Sequence, residues 1–297
     1  IKMLKPKIIF ILSSNYSGSH LLTHLISSHS RACSVGELKN LNKFLNRPSE
    51  THSVFHDYAT NPLFKMLHTL PEKEWHVHLL EKIRVENDSI ICLVDNSKKI
   101  GWAEKFINNP ELEAICIHLI RDPRALARRW DKTFTDENAH RQRVKLALKQ
   151  PLYGLKTVFK SNYDVYAYKW LMQNTRITNF LAKTNQQKNV ISYSDLVSDT
   201  SAVLEKIMKQ VGLNFEEDQL NYGRSKHIGT IKKDYVEQTK NSTIEEDLRW
   251  KEDLPPSASD GIKKNKDINR YLKSINLKWT NNGISAVTNF HVTKSEK

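Results

Sequence analysis

The chain has 297 residues, enough to bury a sizeable core, and no low-complexity or Pro/Gly/Ser-rich stretch divides it, so a single domain over residues 1–297 is expected. Forty-six Lys and Arg against 33 Asp and Glu give a formal net charge of +13, which favours anionic partners: nucleotides, sulfated or phosphorylated substrates, nucleic acid or an acidic membrane. Three widely spaced cysteines argue against a disulfide framework or a cysteine-rich metal site, and no apolar run approaches the ~20 residues that span a bilayer, so a cytoplasmic protein without signal peptide or anchor is expected.

In chain order, the first β-rich run is KIIFIL (Lys7–Leu12), followed by a helical pattern over Ser19–Ser28. Asn46–Glu86 is irregular and polar, with His52, His56, His68, His76 and His78, and is expected to form variable loops and short helices. His76 and His78 point to one side of an extended segment; they read as surface histidines, or as half of a metal site that lacks a clear third ligand. The run SIICLVD (Ser89–Asp95) precedes a helix at Trp102–Ile107, and AICIHLI (Ala114–Ile120) precedes one at Arg124–Lys132. Variable loops are expected over about 131–160. A longer helix from Tyr163 to about Ala182 buries Val165, Tyr168, Trp170, Leu171 and Ile177. NVISY (Asn189–Tyr193) and a helix at Ser201–Val211 complete the alternation, and a weakly packed tail follows from about Thr280. Strands that are nearly continuous in apolar residues, alternating with helices, predict an α/β fold with a central, mainly parallel sheet. Cys92 and Cys116 fall inside apolar runs, as small buried thiols do.

The stretch SSNYSGSHLL (Ser13–Leu22) lies where strand one gives way to a helix, the place in an open α/β sheet where anions meet unsatisfied N–H groups and the positive end of the helix dipole. Small hydroxyls donate hydrogen bonds, and Gly18 lets the backbone approach a phosphate. Against GxxxxGK[ST], the four defining positions carry Ser13, Gly18, Ser19 and His20, so the lysine and the magnesium-binding hydroxyl of a conventional ATPase or kinase are missing. N-capping by Ser17 or Ser19 is the alternative reading of the same residues.

CIHLIRDPRALARRW repeats the arrangement after another buried strand. Asp122 suits the N-cap and Pro123 the first helical position. Arg121 falls at the strand's carboxyl end, and Arg129 stands roughly 9 Å along the helix. Two such guanidinium groups can grip a terminal phosphate through planar, charge-assisted bonds. Arg124 and Arg128 share another face, and Arg128 reads as a surface charge pair.

These two motifs resemble those of sulfotransferases that use 3′-phosphoadenosine 5′-phosphosulfate. Tyr16, Ser17, Gly18, Ser19 and His20 match the [RK]SG[ST][ST] signature after strand one, and RDPRALARR matches RDPRAxxxS, with Arg129 at the serine position. The similarity extends in order through SVGEL (Ser34–Leu38), LVDNSK (Leu93–Lys98), VISYSDL (Val190–Leu196) and HIGTIKK (His227–Lys233). It implies a P-loop NTPase-like sulfotransferase fold and transfer of sulfonate to a hydroxyl acceptor, with 3′-phosphoadenosine 5′-phosphate as the product and no metal. It further implies that Tyr16, Ser17, Gly18, Ser19, His20 and Leu21 hold the 5′-phosphosulfate, and that Arg121, Arg129 and Lys233, or its neighbour Lys232, hold the 3′-phosphate. Tyr16 stands where relatives carry a cation, and Lys98, in a DSSK-like segment, is the replacement the topology offers, with Lys99 the second choice. Glu37 matches approximately the glutamate base of the CGEE segment in tyrosylprotein sulfotransferases. His20 is the competing base, and a plain loop carboxylate is the other reading of Glu37.

The acceptor class stays open among carbohydrate, lipid, peptide and small alcohol. A nucleotide binder of the same fold that does not turn over is the alternative. Nucleic-acid binding driven by the +13 charge lacks a motif or an aromatic-interleaved basic stripe, so no nucleic-acid partner is expected.

Overall fold

Five short segments with buried side chains on both faces pair into one sheet because each is too apolar to leave either face in water. The computed structural model describes residues 5–46, 62–222 and 243–287. Strands β1 (Lys7–Ser13), β2 (Ala32–Gly36), β3 (Cys92–Lys98), β4 (Glu113–Ile120) and β5 (Gln187–Ser192) lie in the order β2-β3-β1-β4-β5. The pairs β1/β3, β1/β4 and β2/β3 are parallel. Flanking helices complete the expected α/β fold. β2 is absent from the strands the apolar runs predict, because Ala32–Gly36 is short and built of small residues.

The chain forms two compact units. The first comprises residues 1–119, 177–189 and 203–244. It holds helix α1 (Ser19–Ser27) and helix α2 (Trp75–Glu86). Its core gathers Ile8, Phe10, Leu12, Leu93, Trp75, Leu79, Trp102 and Phe106, each at most 3% exposed. Phe10 stacks on Phe106 at 5.7 Å, and Trp102 meets Phe106 edge-on at 4.9 Å. Each such fully buried ring contributes about 1.5–3 kcal/mol through the surface it removes from water. Cys33, Cys92 and Cys116 are buried here, and burial pushes the Cys92 and Cys116 thiols up to about 12.

The second unit comprises residues 120–176, 190–202 and 245–297. Helix α3 (Pro123–Thr133) begins as predicted: the Asp122 carboxylate accepts from the Arg124 N–H at 2.7 Å, and Pro123 occupies the first turn. The segment expected to be variable loops is instead helix α4 (Asp136–Lys149) and helix α5 (Pro151–Thr157), with Thr135 capping the first and Pro151 starting the second. Helix α6 (Asn162–Lys183) runs as its periodicity predicts and buries Val165, Tyr168, Trp170, Leu171 and Ile177.

The tail from Thr280 is structured through Val287, and residues 288–297 lie outside the described residues. Strands β6 (Leu277–Trp279) and β7 (Ile284–Ala286) form an antiparallel hairpin, and the Ile284 side chain is fully buried. The carboxylate of Asp195 accepts from Ser285 Oγ at 2.5 Å and from the Ala286 N–H at 2.9 Å, satisfying the free edge of the hairpin. No described helix is long and apolar enough to cross a membrane.

Candidate active site

The loop after β1 is built from small residues because its backbone must turn sharply while staying buried. Ser13, Ser14, Ser17 and Ser19 are at most 4% exposed. Gly18 sits at φ 90° at the N-cap of α1, a left-handed conformation that favours glycine, and Tyr16 adopts φ 70° with its ring exposed. The first turn of α1 carries no acidic side chain. The buried hydroxyls of Ser13 and Ser17 have no hydrogen-bond partner among the described residues. Buried hydroxyls are normally paired. Two of them without partners, beside a helix N-terminus without a carboxylate, fit an anionic group.

Lys98 and Glu37 reach the neighbourhood of this loop through irregularities in the sheet. Phe10 pairs with Asp95 but Leu12 with Lys98, so β3 carries one extra residue there, and the shift swings Lys98 to φ 63° at the carboxyl end of the strand. A second shift lies between Ser34 and Gly36 on β2, where Gly36 takes φ 67° and delivers Glu37 directly after the strand. The Lys98 ammonium donates to Glu37 Oε1, Asn40 Nδ2 donates to Glu37 Oε2 at 2.9 Å, and His20 Nε2 stands 3.6 Å from Oε1. Glu37, Lys98 and His20, read separately from the sequence, are therefore one cluster. Lys98 is 8% exposed at its side chain, so its charge is compensated by Glu37 rather than by water. Lys99 is an exposed residue, yet partial desolvation of its ammonium, then repulsion from Lys39 and Lys98, lowers its pKa. Leu21, in the first turn of α1, is half-buried and contributes no polar side chain.

Beneath Lys98 lies a network that sequence reasoning missed. Asp95 is 1% exposed; its Oδ1 accepts from the Ser97 N–H at 2.8 Å, and its Oδ2 accepts from Trp102 Nε1 at 2.7 Å and from His76 Nε2 at 2.8 Å. Ser97 Oγ in turn accepts from the Lys39 N–H at 3.1 Å, which ties the turn before Lys98 to the turn after Glu37. His76 corrects two readings at once: it lies on a helix, not an extended segment, and it is fully buried, not at the surface. Trp75, Leu79, Leu80 and Ile83 carry the i, i+4 pattern that marks that helix. His78, two residues on and so on a different face of the helix, is half-buried. An Asp two residues before a Ser, at a strand end, is the Asx-turn signal that could have found Asp95.

In the second unit, Arg121 immediately follows β4. Its guanidinium meets Asp247 Oδ2 at 3.0 Å and the Asp247 carbonyl at 3.1 Å, and lies 4.3 Å from the centre of the Tyr193 ring. Arg249 also grips Asp247, with Nε to Oδ1 and a terminal nitrogen to Oδ2 both at 2.7 Å. The Arg249 hydrogen bonds, with Arg121 beside them, hold the Asp247 carboxyl well below the usual carboxylate range. Burial raises the Tyr193 phenol against the opposing pull of Arg121. Arg129 is exposed on α3.

The neighbouring arginines are structural. Arg124 forms a two-pronged pair with Asp122 and stacks on Trp250 at 3.9 Å and Trp279 at 4.9 Å. Arg128 pairs with Asp253, shared with Lys132 at 2.7 Å, and is buried rather than solvent-facing. Lys233 and the HIGTIKK segment lie outside the described residues, as do His52 and His56.

A sequence profile described as the sulfotransferase family matches residues 6–217. The chain belongs to the sulfotransferase family. The match spans both the loop after β1 and the RDPRA segment. Among solved structures, the sulfotransferase domain from the curacin biosynthetic pathway is similar with a TM-score of 0.52 and 20% identity, covering 91% of this chain and 97% of that one. The sulfotransferase domain from the Synechococcus PCC 7002 olefin synthase is similar with a TM-score of 0.52 and 17% identity, covering 94% and 98%. At these identities the likeness speaks for the sulfotransferase fold. No curated protein sequence matches the chain.

Proposed function

We propose that this sulfotransferase moves a sulfonate group from 3′-phosphoadenosine 5′-phosphosulfate to a hydroxyl acceptor. The observation that carries the reading is the convergence of Glu37, Lys98 and His20 on one another, next to a strand-to-helix loop whose Ser13 and Ser17 hydroxyls lack partners among the described residues. The donor supplies an activated sulfur whose bond to the phosphate oxygen breaks as the acceptor oxygen bonds to it. Ser17, Gly18, Ser19 and the first N–H groups of α1 bind the phosphosulfate. Glu37 accepts the proton of the acceptor hydroxyl, the commonest way a carboxylate raises the nucleophilicity of an alcohol. The Lys98 ammonium, already fixed against Glu37, neutralises charge on the leaving phosphate in place of the cation that Tyr16 does not provide. Arg121 binds the 3′-phosphate, which competes with Asp247 for the same guanidinium, and Arg129 and Lys233 are assigned to the same phosphate on the family resemblance alone.

Glu37→Gln and Lys98→Ala test this assignment. In a transferase each lowers turnover by about 10²–10⁴-fold while calorimetry still detects 3′-phosphoadenosine 5′-phosphate. Wild-type protein that binds this nucleotide but transfers nothing to any acceptor in a broad screen would instead make the chain a nucleotide-binding member of the family.

A further inference from the structure

The region between Glu137 and Asp164 has an unusual charge pattern. Residues 138–163 contain Arg141, Arg143, Lys145, Lys149, Lys156 and Lys160 and no Asp or Glu. The same stretch, folded as α4 and α5, turns large apolar side chains to solvent: Leu148 is 78% exposed, Leu152 74%, Leu155 73% and Phe159 98%. The hairpin is built rather than loose. Gly154 packs so closely on α4 that an added Cβ would meet Ala147 Cα at 2.5 Å, and Arg143 donates to the carbonyls of Thr157 and Lys160, closing the far end. Ala139 and Leu146 supply its buried face, so the exposed leucines and Phe159 are the face left over.

We propose that this hairpin is a docking surface for anionic lipid membranes. Leucine and phenylalanine side chains interleaved with lysines are the composition that inserts shallowly among lipid headgroups, where the apolar groups leave water and the ammonium groups meet lipid phosphates. Val144 and Leu148 recur at i, i+4 on α4, and Lys145 and Lys149 recur beside them, so apolar and basic stripes run side by side. Among the described residues, Lys145, Lys149 and Lys160 pair with no carboxylate. At the base of the hairpin a cleft of about 460 Å³ is lined by Lys156, Lys160, Lys266 and Arg270 against Asp164 and Asp267, room for a phosphate-bearing headgroup.

Two other occupants fit less well. A second copy docking through this face would set one acid-free basic patch against another, and the +13 charge of each chain adds to the repulsion. A protein interface of this kind is normally depleted of lysine at its centre, whereas a membrane surface gains from each one. Membrane docking through this hairpin would set where the protein sits and is independent of what it transfers.

The test uses the full chain and phosphatidylcholine vesicles with and without phosphatidylserine. The protein is expected to sediment with the serine-containing vesicles only and to be released by salt. Lys145→Gln or Lys149→Gln should each weaken partitioning about fivefold, the effect of one basic side chain near an anionic surface. Leu152→Ser with Phe159→Ser should abolish it while leaving the thermal melt and nucleotide binding unchanged, since both side chains are exposed. Failure of the wild type to bind anionic vesicles, or unchanged binding by the double variant, would overturn the proposal. So would a dimer in sedimentation equilibrium, or capture of an acidic protein without vesicle binding, lost in the double variant.

Discussion

Asp95→Ala removes the carboxylate on which the hydrogen bonds beneath Lys98 converge. Three donors lose their acceptor: Trp102 Nε1, His76 Nε2 and the Ser97 N–H, now at 2.7–2.8 Å from the carboxylate oxygens. Trp102 and His76 are at most 3% exposed, so water does not readily replace the carboxylate. A buried donor left unsatisfied costs about 1–3 kcal/mol, which places the total near 4 kcal/mol with partial rehydration through the smaller side chain. Against a total stability of about 5–15 kcal/mol, that is a large fraction. Asp95→Asn should recover part of it, because the amide can turn its oxygen to Trp102 and His76 and leave only the Ser97 N–H facing its NH2 group. Urea denaturation followed by tryptophan fluorescence reads the loss, and turnover is measured at protein concentrations where the variant is folded. Lys98 takes φ 63° three residues along, an arrangement the Ser97 bond helps hold, so turnover should fall at least tenfold per folded molecule with little change in nucleotide affinity. A stability loss under about 1 kcal/mol would mean that the three donors repartner freely, and full turnover in the folded variant would mean that Lys98 is not held by this network.

Two further predictions concern charge. Tyr16→Arg restores a cation at an exposed loop position, and one added charge-assisted contact should tighten 3′-phosphoadenosine 5′-phosphosulfate about tenfold by calorimetry; unchanged affinity would remove Tyr16 from the donor site. Asp247→Asn should destabilise the protein by about 2 kcal/mol near neutral pH. Because Arg249 and Arg121 depress the folded-state pKa of Asp247, this contribution is complete above the unfolded-state value of about 4 and disappears as pH falls through the folded value. Denaturation curves should thus show the gap between wild type and variant narrowing on acidification below about pH 4, and a gap independent of pH would contradict the assignment.

Much of this fold is legible in the sequence. The apolar runs that became β1, β3, β4 and β5 were continuous enough to demand burial on both faces. The helix starting at Pro123 carried its own cap and proline. Glu37, Lys98 and His20 lie together because the short motifs that carry them sit at strand ends, and strand ends converge in a parallel sheet. What was hidden depends on partners far along the chain. His76 reads as a polar surface residue until Asp95, nineteen positions later in sequence, is placed 2.8 Å away. Arg121 reads as a phosphate ligand alone, because Asp247 reaches it from 126 residues downstream. The hairpin at 136–157 was obscured for a different reason: so few of its apolar residues face a core that its periodicity resembles that of a loop.

The most direct test of the sulfonate-transfer account is a reaction of the wild-type protein with sulfur-labelled 3′-phosphoadenosine 5′-phosphosulfate and a panel of hydroxyl acceptors, without added metal. Label is expected on an acceptor oxygen with equimolar release of 3′-phosphoadenosine 5′-phosphate, both lost in Glu37→Gln. Failure of the wild type to bind 3′-phosphoadenosine 5′-phosphate in a calorimetric titration, with the labelled donor returned intact, would contradict it.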